Sequence, residues 1–469
     1  MPLPMPRLGR RAFLAAAGAA ALPASLLRAQ TPATTPSPLG ASPPATAFID
    51  VNVVPMDRDR VLRGMTVVVR DGRIASIAPD APVPADALRI EGHGRRWLSP
   101  GLADMHNHCD SRQDMAVLLA QGVTTTMNLG EARNSFVGRL RLAIARGDVP
   151  GPQAFAALAV DGTPDYGHLV LRSVDDVRAA VQLARTNRYD FLKVYNNLAP
   201  EVFAALVREG AAAGIPVVGH GVTAVGLAKQ IEAGQVLVAH AEEFFYTFFP
   251  PAREDDPNGA PPESAIADAV ALLRRHGTAV VADLVTYRRI AEQWGRPDVI
   301  AGYLKQPEAA FVAPTQRALW PLAGYARRQG DLMRRYAFLE AFVRAMQRAG
   351  VPLLSGTDVS DIPGLVPGFS LHENLRLLTA AGLSRFDALS TATRQAGAFI
   401  ASTKPGAPPF GTVTPGARAD LLLTEANPLD DLHTLSRPLG VLAAGRWRDE
   451  AALGELLSTV SDTYRGARL

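Results

Sequence analysis

The chain has 469 residues, of which 48% are hydrophobic and 20% are charged, a composition typical of a soluble globular protein. This length allows one large α/β barrel with a smaller domain, or about two or three average domains. The formal net charge of +3 includes four arginines within the first 29 residues, which contain no acid, so removing them leaves −1. A near-neutral remainder gives no reason to expect binding to nucleic acid or to an anionic membrane. The lone cysteine, Cys109, excludes an intrachain disulfide.

The first residues have the pattern of an export signal. Arg10 and Arg11 precede a mildly apolar run over residues 12–27, and an alanine-rich stretch ends near Ala29. The alternative is a membrane anchor, but this run is shorter than the roughly 20 residues needed to cross a bilayer. We therefore expect residues 1–29 to be a twin-arginine-type signal peptide, and the protein to be periplasmic or secreted, without stable membrane association after cleavage. Residues 30–46, rich in Pro, Thr and Ser, are expected to form a disordered linker.

The remaining chain alternates between two kinds of pattern. Residues 47–98 and 406–450 show short strands with turn signals, including an Asp71-Gly72 hairpin turn, and are predicted to pair into one small β-sandwich domain. Residues 99–405 alternate strand and helix and predict a (β/α)8 TIM-type barrel. The eight predicted strands span residues 102–106, 123–129, 153–160, 189–195, 215–220, 235–240, 278–286 and 351–357. Residues 451–469 are expected to be a C-terminal helix or tail, and 247–263 and 288–340 to be loops at the barrel mouth, acting as a lid or as surface decoration.

Several polar residues follow apolar, strand-like runs. In a (β/α)8 barrel, the carboxyl ends of the strands are where functional side chains converge. Imidazole, carboxylate and lysine side chains gathered there predict a centre for one or two divalent metals. The candidate ligands are His106, His108, Lys193, His220, His240 and Asp358.

The spacing and setting of these residues strengthen the prediction. His106 and His108 are two residues apart, so on a strand they point to the same side. His220 and His240 end two successive strands, although core histidines satisfied by hydrogen bonds are the alternative. The chain uses 44 arginines and only 4 lysines, so Lys193 in an apolar strand is unusual. A buried ammonium is costly, which favours carboxylation of Lys193 by CO2 over a snorkelling or ion-paired lysine.

Other candidates have roles around the metals. Asp358 can bind a metal and also lie within reach of the attacking water, as a general base must. His168 follows the third strand and is a candidate catalytic or substrate-facing residue. His372 lies after the eighth strand and is a candidate substrate contact. Cys109 is expected to pack in the core.

With these residues in place, the chain resembles the amidohydrolase superfamily, in particular its imidazolonepropionase- and prolidase-related branch. The matching text is SPGLADMHNH, DFLKVYNN, IPVVGH, QVLVAH and LLSGTD, followed by FGTVTPGARADLLLTEANPLDDL, so the resemblance covers about residues 47–445. It implies a binuclear centre, usually of zinc, in a barrel flanked by a β-sandwich. It further implies that one metal is held by His106, His108 and Asp358, the other by His220 and His240, with carboxylated Lys193 as the bridge. At 219–221 the chain reads GHG, where relatives often carry a second nearby histidine.

The expected activity is hydrolysis of C–N amide or peptide bonds by a metal-bridging hydroxide, as in a dipeptidase, a prolidase or an N-acyl amino acid amidase. Tyr195, two residues after Lys193, is expected to bind a substrate carboxylate, and Glu242 and Glu243 a substrate ammonium group. Two alternatives are a lactonase, esterase or phosphotriesterase using the same metals, and a catalytically inactive binding protein. The expected partner is a small-molecule substrate, and the sequence leaves homo-oligomerisation open.

Overall fold

The computed structural model describes residues 45–253 and 255–467. The predicted signal peptide therefore lies outside the described residues, as does the linker up to residue 44. The first five strands are β1 (Ala45–Val53), β2 (Leu62–Arg70), β3 (Arg73–Ala78), β4 (Leu88–Glu91) and β5 (Trp97–Pro100). Asp71 and Gly72 join β2 to β3 with positive φ angles of 51° and 68°, as a tight hairpin between twisted strands requires. The predicted hairpin turn is confirmed.

The next strands build a parallel barrel. They are β6 (Leu102–Asn107), β7 (Val123–Asn128), β8 (Gln153–Asp161), β9 (Leu169–Val170), β10 (Phe191–Val194), β11 (Val217–Gly219), β12 (Leu237–Val238), β13 (Ala279–Val281) and β14 (Leu353–Leu354). Eight of them pair in the order β6-β7-β8-β10-β11-β12-β13-β14, while β9 lies beside β8. Backbone bonds from Met105 N to Ser355 O (2.8 Å) and from Thr357 N to His106 O (2.9 Å) bring the last strand to the first. The predicted (β/α)8 barrel is confirmed.

Helices connect the strands. They are α1 (Arg112–Ala120), α2 (Arg141–Ala145), α3 (Val174–Thr186), α4 (Pro200–Ala213), α5 (Leu227–Ala233), α6 (Phe244–Thr247), α7 (Ile266–His276), α8 (Leu284–Gln293), α9 (Pro297–Tyr303), α10 (Pro314–Leu319), α11 (Met333–Ala349), α12 (Phe369–Ala380), α13 (Arg385–Thr391) and α14 (Arg394–Thr403). Single helical turns add Phe136–Leu140, Ala241–Glu243, Glu263–Ala265, Pro307–Phe311, Trp320–Leu322, Gly324–Arg327 and Leu432–Ser436. Among the described residues, no helix combines the length and apolarity that a bilayer crossing requires.

Two expectations about the later barrel were wrong. The predicted strand 278–286 ends at Val281, and α8 begins at Leu284, because the apolar residues after Asp283 line a helix. The predicted loop 288–340 is mainly helical and contains α9, α10 and parts of α8 and α11. The segment is therefore a packed helical insertion between β13 and β14.

The final strands return to the first sheet. They are β15 (Leu421–Thr424), β16 (Gly440–Ala443) and β17 (Arg446–Asp449), followed by α15 (Glu450–Gly466). The sheet order is β17-β16-β15-β5-β1-β2-β3, with β4 beside β1. Its core packs Phe48, Val67 and Leu98 from the N-terminal strands against Leu421 and Leu442 from the C-terminal ones. The two ends of the domain therefore form one sheet beside the barrel, as the sequence predicted.

The barrel interior has its own apolar core. Met105, Phe191 and Val281 point inwards from the strands, and Phe399 and Ile400 of α14 pack against them. Filling the interior with side chains makes it a rigid support rather than a pore. This packed interior fixes the strands whose carboxyl ends carry the polar residues.

Candidate metal centre and active site

The predicted ligands lie at the carboxyl end of the barrel. His106 is in β6 and Lys193 is in β10. His220 follows β11 directly, and His240 follows β12 by two residues. His106 and Lys193 are completely buried, and His240 is 4% exposed. Asp358 follows β14 with a positive φ of 54°, which turns it away from the strand direction. Because these residues lie at or after the carboxyl ends of the barrel strands, residues that are far apart in sequence come together at the barrel mouth.

One carboxylate joins the His106–His108 pair. Asp358 Oδ1 lies 3.2 Å from His106 Nε2 and 3.0 Å from His108 Nε2, and the ligand atoms of the three residues are all within 4.8 Å of one another. Burial acts against ionisation, but the histidine charges and the His108 hydrogen bond hold the pKa of Asp358 well below its usual value. Burial likewise lowers the pKa of His108, yet the bond and charge of Asp358 raise it to about 9. The grouping matches a three-residue metal site.

Backbone carbonyls orient this pair of histidines. His106 Nδ1 is 3.0 Å from the carbonyl oxygen of Ala239, and His108 Nδ1 is 3.3 Å from that of Gly130. A carbonyl only accepts, so Nδ1 carries the proton in both rings. Nε2 of each ring therefore faces the centre, which is how protein groups usually orient metal-binding imidazoles.

Carboxylates orient the other two histidines. His220 Nδ1 donates to Glu243 in a short hydrogen bond, and Glu243 also accepts from Gly221 N at 2.9 Å. His240 Nδ1 donates to Asp283 Oδ2 at 2.5 Å. Both carboxylates are buried. Because Glu243 is committed to His220 and to a backbone amide, its predicted contact with a substrate ammonium group is wrong, and it positions a ligand instead.

Lys193 is completely buried between these groups. Its Nζ is buried without a hydrogen-bond partner among the described residues, and burial lowers its pKa to about 8. Gly219 makes room for the side chain, since a Cβ there would lie 2.9 Å from Lys193 Cδ. A larger residue after Val218 would therefore displace the lysine.

Unpartnered buried atoms test whether a metal fits. His106 Nε2 and Lys193 Nζ both lack hydrogen-bond partners and face the centre, which is costly unless a ligand satisfies them. His106 and His240 have ring centroids 4.4 Å apart, and His220 and His240 have centroids 5.2 Å apart. With imidazole nitrogens and Asp358 oxygens converging, the residues fit a divalent-metal centre.

Aromatic rings extend from the centre towards solvent. Tyr195 stacks on His220 at 4.6 Å between centroids and contacts His168 at 3.9 Å, and Tyr166 follows at 5.9 Å from His168. We call Tyr166, His168 and Tyr195 the ring stack. The Tyr195 hydroxyl donates to Glu131 Oε1 at 3.2 Å. The hydroxyl that was predicted to bind a substrate carboxylate therefore already binds a carboxylate of the protein, that of Glu131.

Comparison with solved structures gives the same fold over nearly the whole chain. The structure called bottromycin amidohydrolase superposes with a TM-score of 0.70 at 26% identity, covering 90% of this chain and 91% of that one. A putative prolidase from Bifidobacterium longum has a TM-score of 0.62 at 22% identity, covering 89% and 99%. Molinate hydrolase has a TM-score of 0.64 at 18% identity, covering 88% and 96%. The structural neighbours of this chain are therefore amidohydrolase-family proteins, as the resemblance predicted.

Sequence comparisons add a short local match. Imidazolonepropionase from Cupriavidus pinatubonensis (strain JMP 134) is 43% identical over 54 residues, which is 11% of this chain and 13% of that protein. No family model matches the chain. The likeness to amidohydrolases therefore rests on the fold and on the residues at the barrel mouth.

The two remaining predicted substrate contacts, His372 and Glu242, lie in different parts of the barrel. His372, in α12, is buried and its Nε2 lies 2.9 Å from the carbonyl oxygen of Gln121. Gln121 precedes Gly122, whose carbonyl bonds the start of β6 (Leu102), so His372 is at the opposite end of the strands from the ligands. Its predicted substrate contact is wrong. Glu242 stays at the mouth, where Tyr246 donates to it at 3.4 Å and burial raises its pKa to about 8.

Sequence reasoning missed three acids of the site. Asp283 follows β13 by two residues, the same offset that singled out His240, so the strand-end criterion could have found it. Glu131 follows β7 by three residues, after Gly130. Asp104, buried in β6, accepts from the Thr357 hydroxyl at 2.7 Å and so ties the loop of Asp358 to the strand of His106.

Proposed function

We propose that this protein is a metal-dependent hydrolase of C–N amide bonds. The observation that carries the proposal is the convergence of oriented imidazoles, Asp358 and the buried Lys193 on one point at the barrel mouth. The likeness to bottromycin amidohydrolase at 26% identity supports the reaction class. A barrel retained only for binding would have no need for four imidazoles aligned by separate hydrogen-bond partners.

The proposed cofactor is a pair of divalent ions, with zinc as the expected metal. His106, His108 and Asp358 would hold one ion, His220 and His240 the other, and a carboxylate formed on Lys193 would bridge them. The low pKa of the Lys193 amine favours that modification, because only the neutral amine reacts with CO2. When bound, such ions polarise a carbonyl and lower the pKa of water.

The chain's own residues supply the remaining chemistry. Asp358 is ionised and lies at the ligand group, so it can take a proton from water and return it to the leaving nitrogen. The buried imidazoles of His220 and His240 keep one orientation because Glu243 and Asp283 hold them. The ring stack forms one wall beside His220 and limits how a substrate can approach.

The substrates we propose are small peptide-like amides, with dipeptides and N-acyl amino acids as the first compounds to test. The sequence-based reason for a free carboxylate, the Tyr195 hydroxyl, is weakened because that hydroxyl already donates to Glu131. Lactones, esters and phosphotriesters remain the second class, since the same centre could attack them.

A matched substrate panel tests the proposal. Purified protein loaded with Zn²⁺ and bicarbonate should hydrolyse at least one dipeptide or N-acyl amino acid, and a chelator should abolish that activity until Zn²⁺ is restored. A Lys193→Met variant should lose the activity while remaining folded by circular dichroism. Turnover confined to lactones, esters or phosphotriesters would contradict the amide proposal, and no turnover of any class would favour a binding protein.

Export is a separate proposal, based on Arg10, Arg11 and the apolar run that follows them. A twin-arginine route carries folded proteins and so would allow the metal to be loaded before export. Replacing both arginines by lysine should keep the protein in the cytoplasm, with the mature N-terminus of the unmodified chain near Gln30. Unchanged periplasmic accumulation of the variant would reject this route.

A further inference from the structure

Glu131 places a carboxylate beside the metal centre with little to neutralise it. Its Oε1 accepts from the Tyr195 hydroxyl at 3.2 Å and lies 3.5 Å from His168 Nε2. Its side chain is 42% exposed, so the carboxylate also faces the open mouth. The basic residue nearest in sequence, Arg133, is engaged by Asp110 at 2.6 Å. The acid is therefore free to bind a group that enters from solvent.

His168 has an unused polar atom at the same point. Its side chain is only 1% exposed, and its Nε2 has no hydrogen-bond partner among the described residues. A buried ring nitrogen without a partner is costly, and a bound ligand would satisfy it. Burial lowers the pKa of His168, so the ring is neutral at pH 7, and the tautomer with the proton on Nδ1 has a lone pair on Nε2.

The ring stack provides aromatic surface around these acceptors. Tyr166 and Tyr195 have centroids 5.5 Å apart, and His168 lies 3.9 Å from Tyr195. Aromatic faces attract cations within about 6 Å of the ring centroid. An anionic acceptor, a neutral imidazole and aromatic faces together suit a cation and repel a carboxylate.

Neighbouring charges have the same sign. Asp361 is exposed at the mouth, where Gln316 Nε2 donates to it at 2.7 Å. Asp361 lies close enough to Glu131 and Asp358 for the three carboxylates to interact. The mouth on this side of the centre is therefore negative, which raises the local concentration of cationic ligands.

We propose that Glu131, His168 and the ring of Tyr166 form a subsite for a protonated primary amine of the substrate. The inference rests on the proposed amide hydrolysis and names its substrate class: amides whose acyl part carries an ammonium group, as at the N-terminus of a peptide. An ammonium group has three donors, which the two Glu131 oxygens and, in the tautomer with the proton on Nδ1, His168 Nε2 can accept. Glu131 is then the specificity-determining residue, and it selects against a carboxylate at that position.

Two amides that differ only in the amine test the subsite. The alanyl and propionyl derivatives of one leaving amine are compared with unmodified protein, Glu131→Gln and, as a matched control, Asp165→Asn, an exposed acid on the loop that carries Tyr166. The unmodified protein should prefer the alanyl compound by about 10- to 100-fold in kcat/KM, as a charge-assisted bond predicts. Glu131→Gln should lower that ratio about 10-fold or more, mainly through KM, and leave the propionyl compound within about threefold.

Asp165→Asn should keep the preference, and metal content should be unchanged in both variants. An unchanged ratio in Glu131→Gln, or an equal fall in Asp165→Asn, would overturn the subsite. If the unmodified protein hydrolyses neither these two amides nor any amide of the panel above, the proposed function fails. Calorimetric binding of the same two compounds then decides the subsite alone: preference for the alanyl compound supports it, and equal binding overturns it.

Discussion

At the scale of single residues, two carboxylates determine which nitrogen of His220 and of His240 faces the centre. Glu243 and Asp283 each hold an Nδ1–H, so the ring cannot rotate or change tautomer without losing a buried, charge-assisted bond. The sequence pointed to the histidines because they end strands. It misassigned Glu243 because neighbouring positions do not show which side chain turns back towards the ring.

Weakening these bonds should weaken metal binding. Glu243→Gln and Asp283→Asn should each lower the affinity for Zn²⁺ by about 10- to 100-fold, the usual effect of removing a partner behind a metal-binding histidine. Competition with a chromophoric chelator measures this directly. Asp175→Asn, which removes an exposed ion pair with Arg178, is the control. Unchanged affinity in both site variants would show that the carboxylates only fill space.

Asp358 combines two roles that one substitution can separate. Asp358→Asn should reduce turnover by about 10²–10⁴-fold, because an amide cannot take a proton from water and return it to the leaving nitrogen. Part of the metal should stay bound, since the other predicted ligands remain. Steady-state kinetics and metal analysis of the same sample give both results. Turnover within a few-fold of the unmodified protein would make Asp358 a ligand only and direct attention to His168.

At the scale of elements, the best predictions came from local chemistry. Ser173 forms a capping box at α3, Pro200 begins α4, and Gly214 ends α4 with a φ of 68°, each a residue type that favours its place at a helix end. The helical insertion was missed because its helices are short and interrupted by Pro and Gly. What holds α11 is tertiary packing, such as Phe342 against Phe244 at 5.0 Å between centroids.

Helix α14 closes the barrel interior away from the site. Phe399 is 6% exposed and stacks on Phe191 at 5.9 Å between centroids. Phe399→Ala should lower the free energy of unfolding by about 3–5 kcal/mol through the cavity it leaves, while the affinity for Zn²⁺ stays within about threefold. Urea unfolding and chelator competition measure the two effects. Leu322→Ala, at a 53% exposed position, should change stability by less than about 0.5 kcal/mol. Equal losses in both variants would contradict this closing role.

At the scale of the whole molecule, the metals would join strands from most of the barrel's circumference. The proposed ligands come from β6, β10, β11 and β12 and from the segment after β14, so a bound pair of ions would link elements 250 residues apart in sequence. A ligand that binds only the folded state stabilises it by RT ln(1 + [L]/Kd), about 4 kcal/mol at a thousandfold excess over Kd. Removing the metals should therefore lower Tm, and adding Zn²⁺ should restore it in a concentration-dependent way.

The affinity for Zn²⁺ should also depend on pH, and the pKa values of the histidines determine the direction of the change. Burial favours neutral imidazoles, but the Asp358 and Asp283 partners raise the pKa of His108 to about 9 and that of His240 to about 10 in the metal-free protein. Both rings therefore hold a proton at neutral pH that Zn²⁺ must displace, so affinity should rise as pH increases from 6 towards 9. Calorimetry in two buffers of different ionisation enthalpy counts the protons released, and metal analysis should give two ions per chain. One ion per chain, no proton release, or a Tm independent of Zn²⁺ would reject the paired centre.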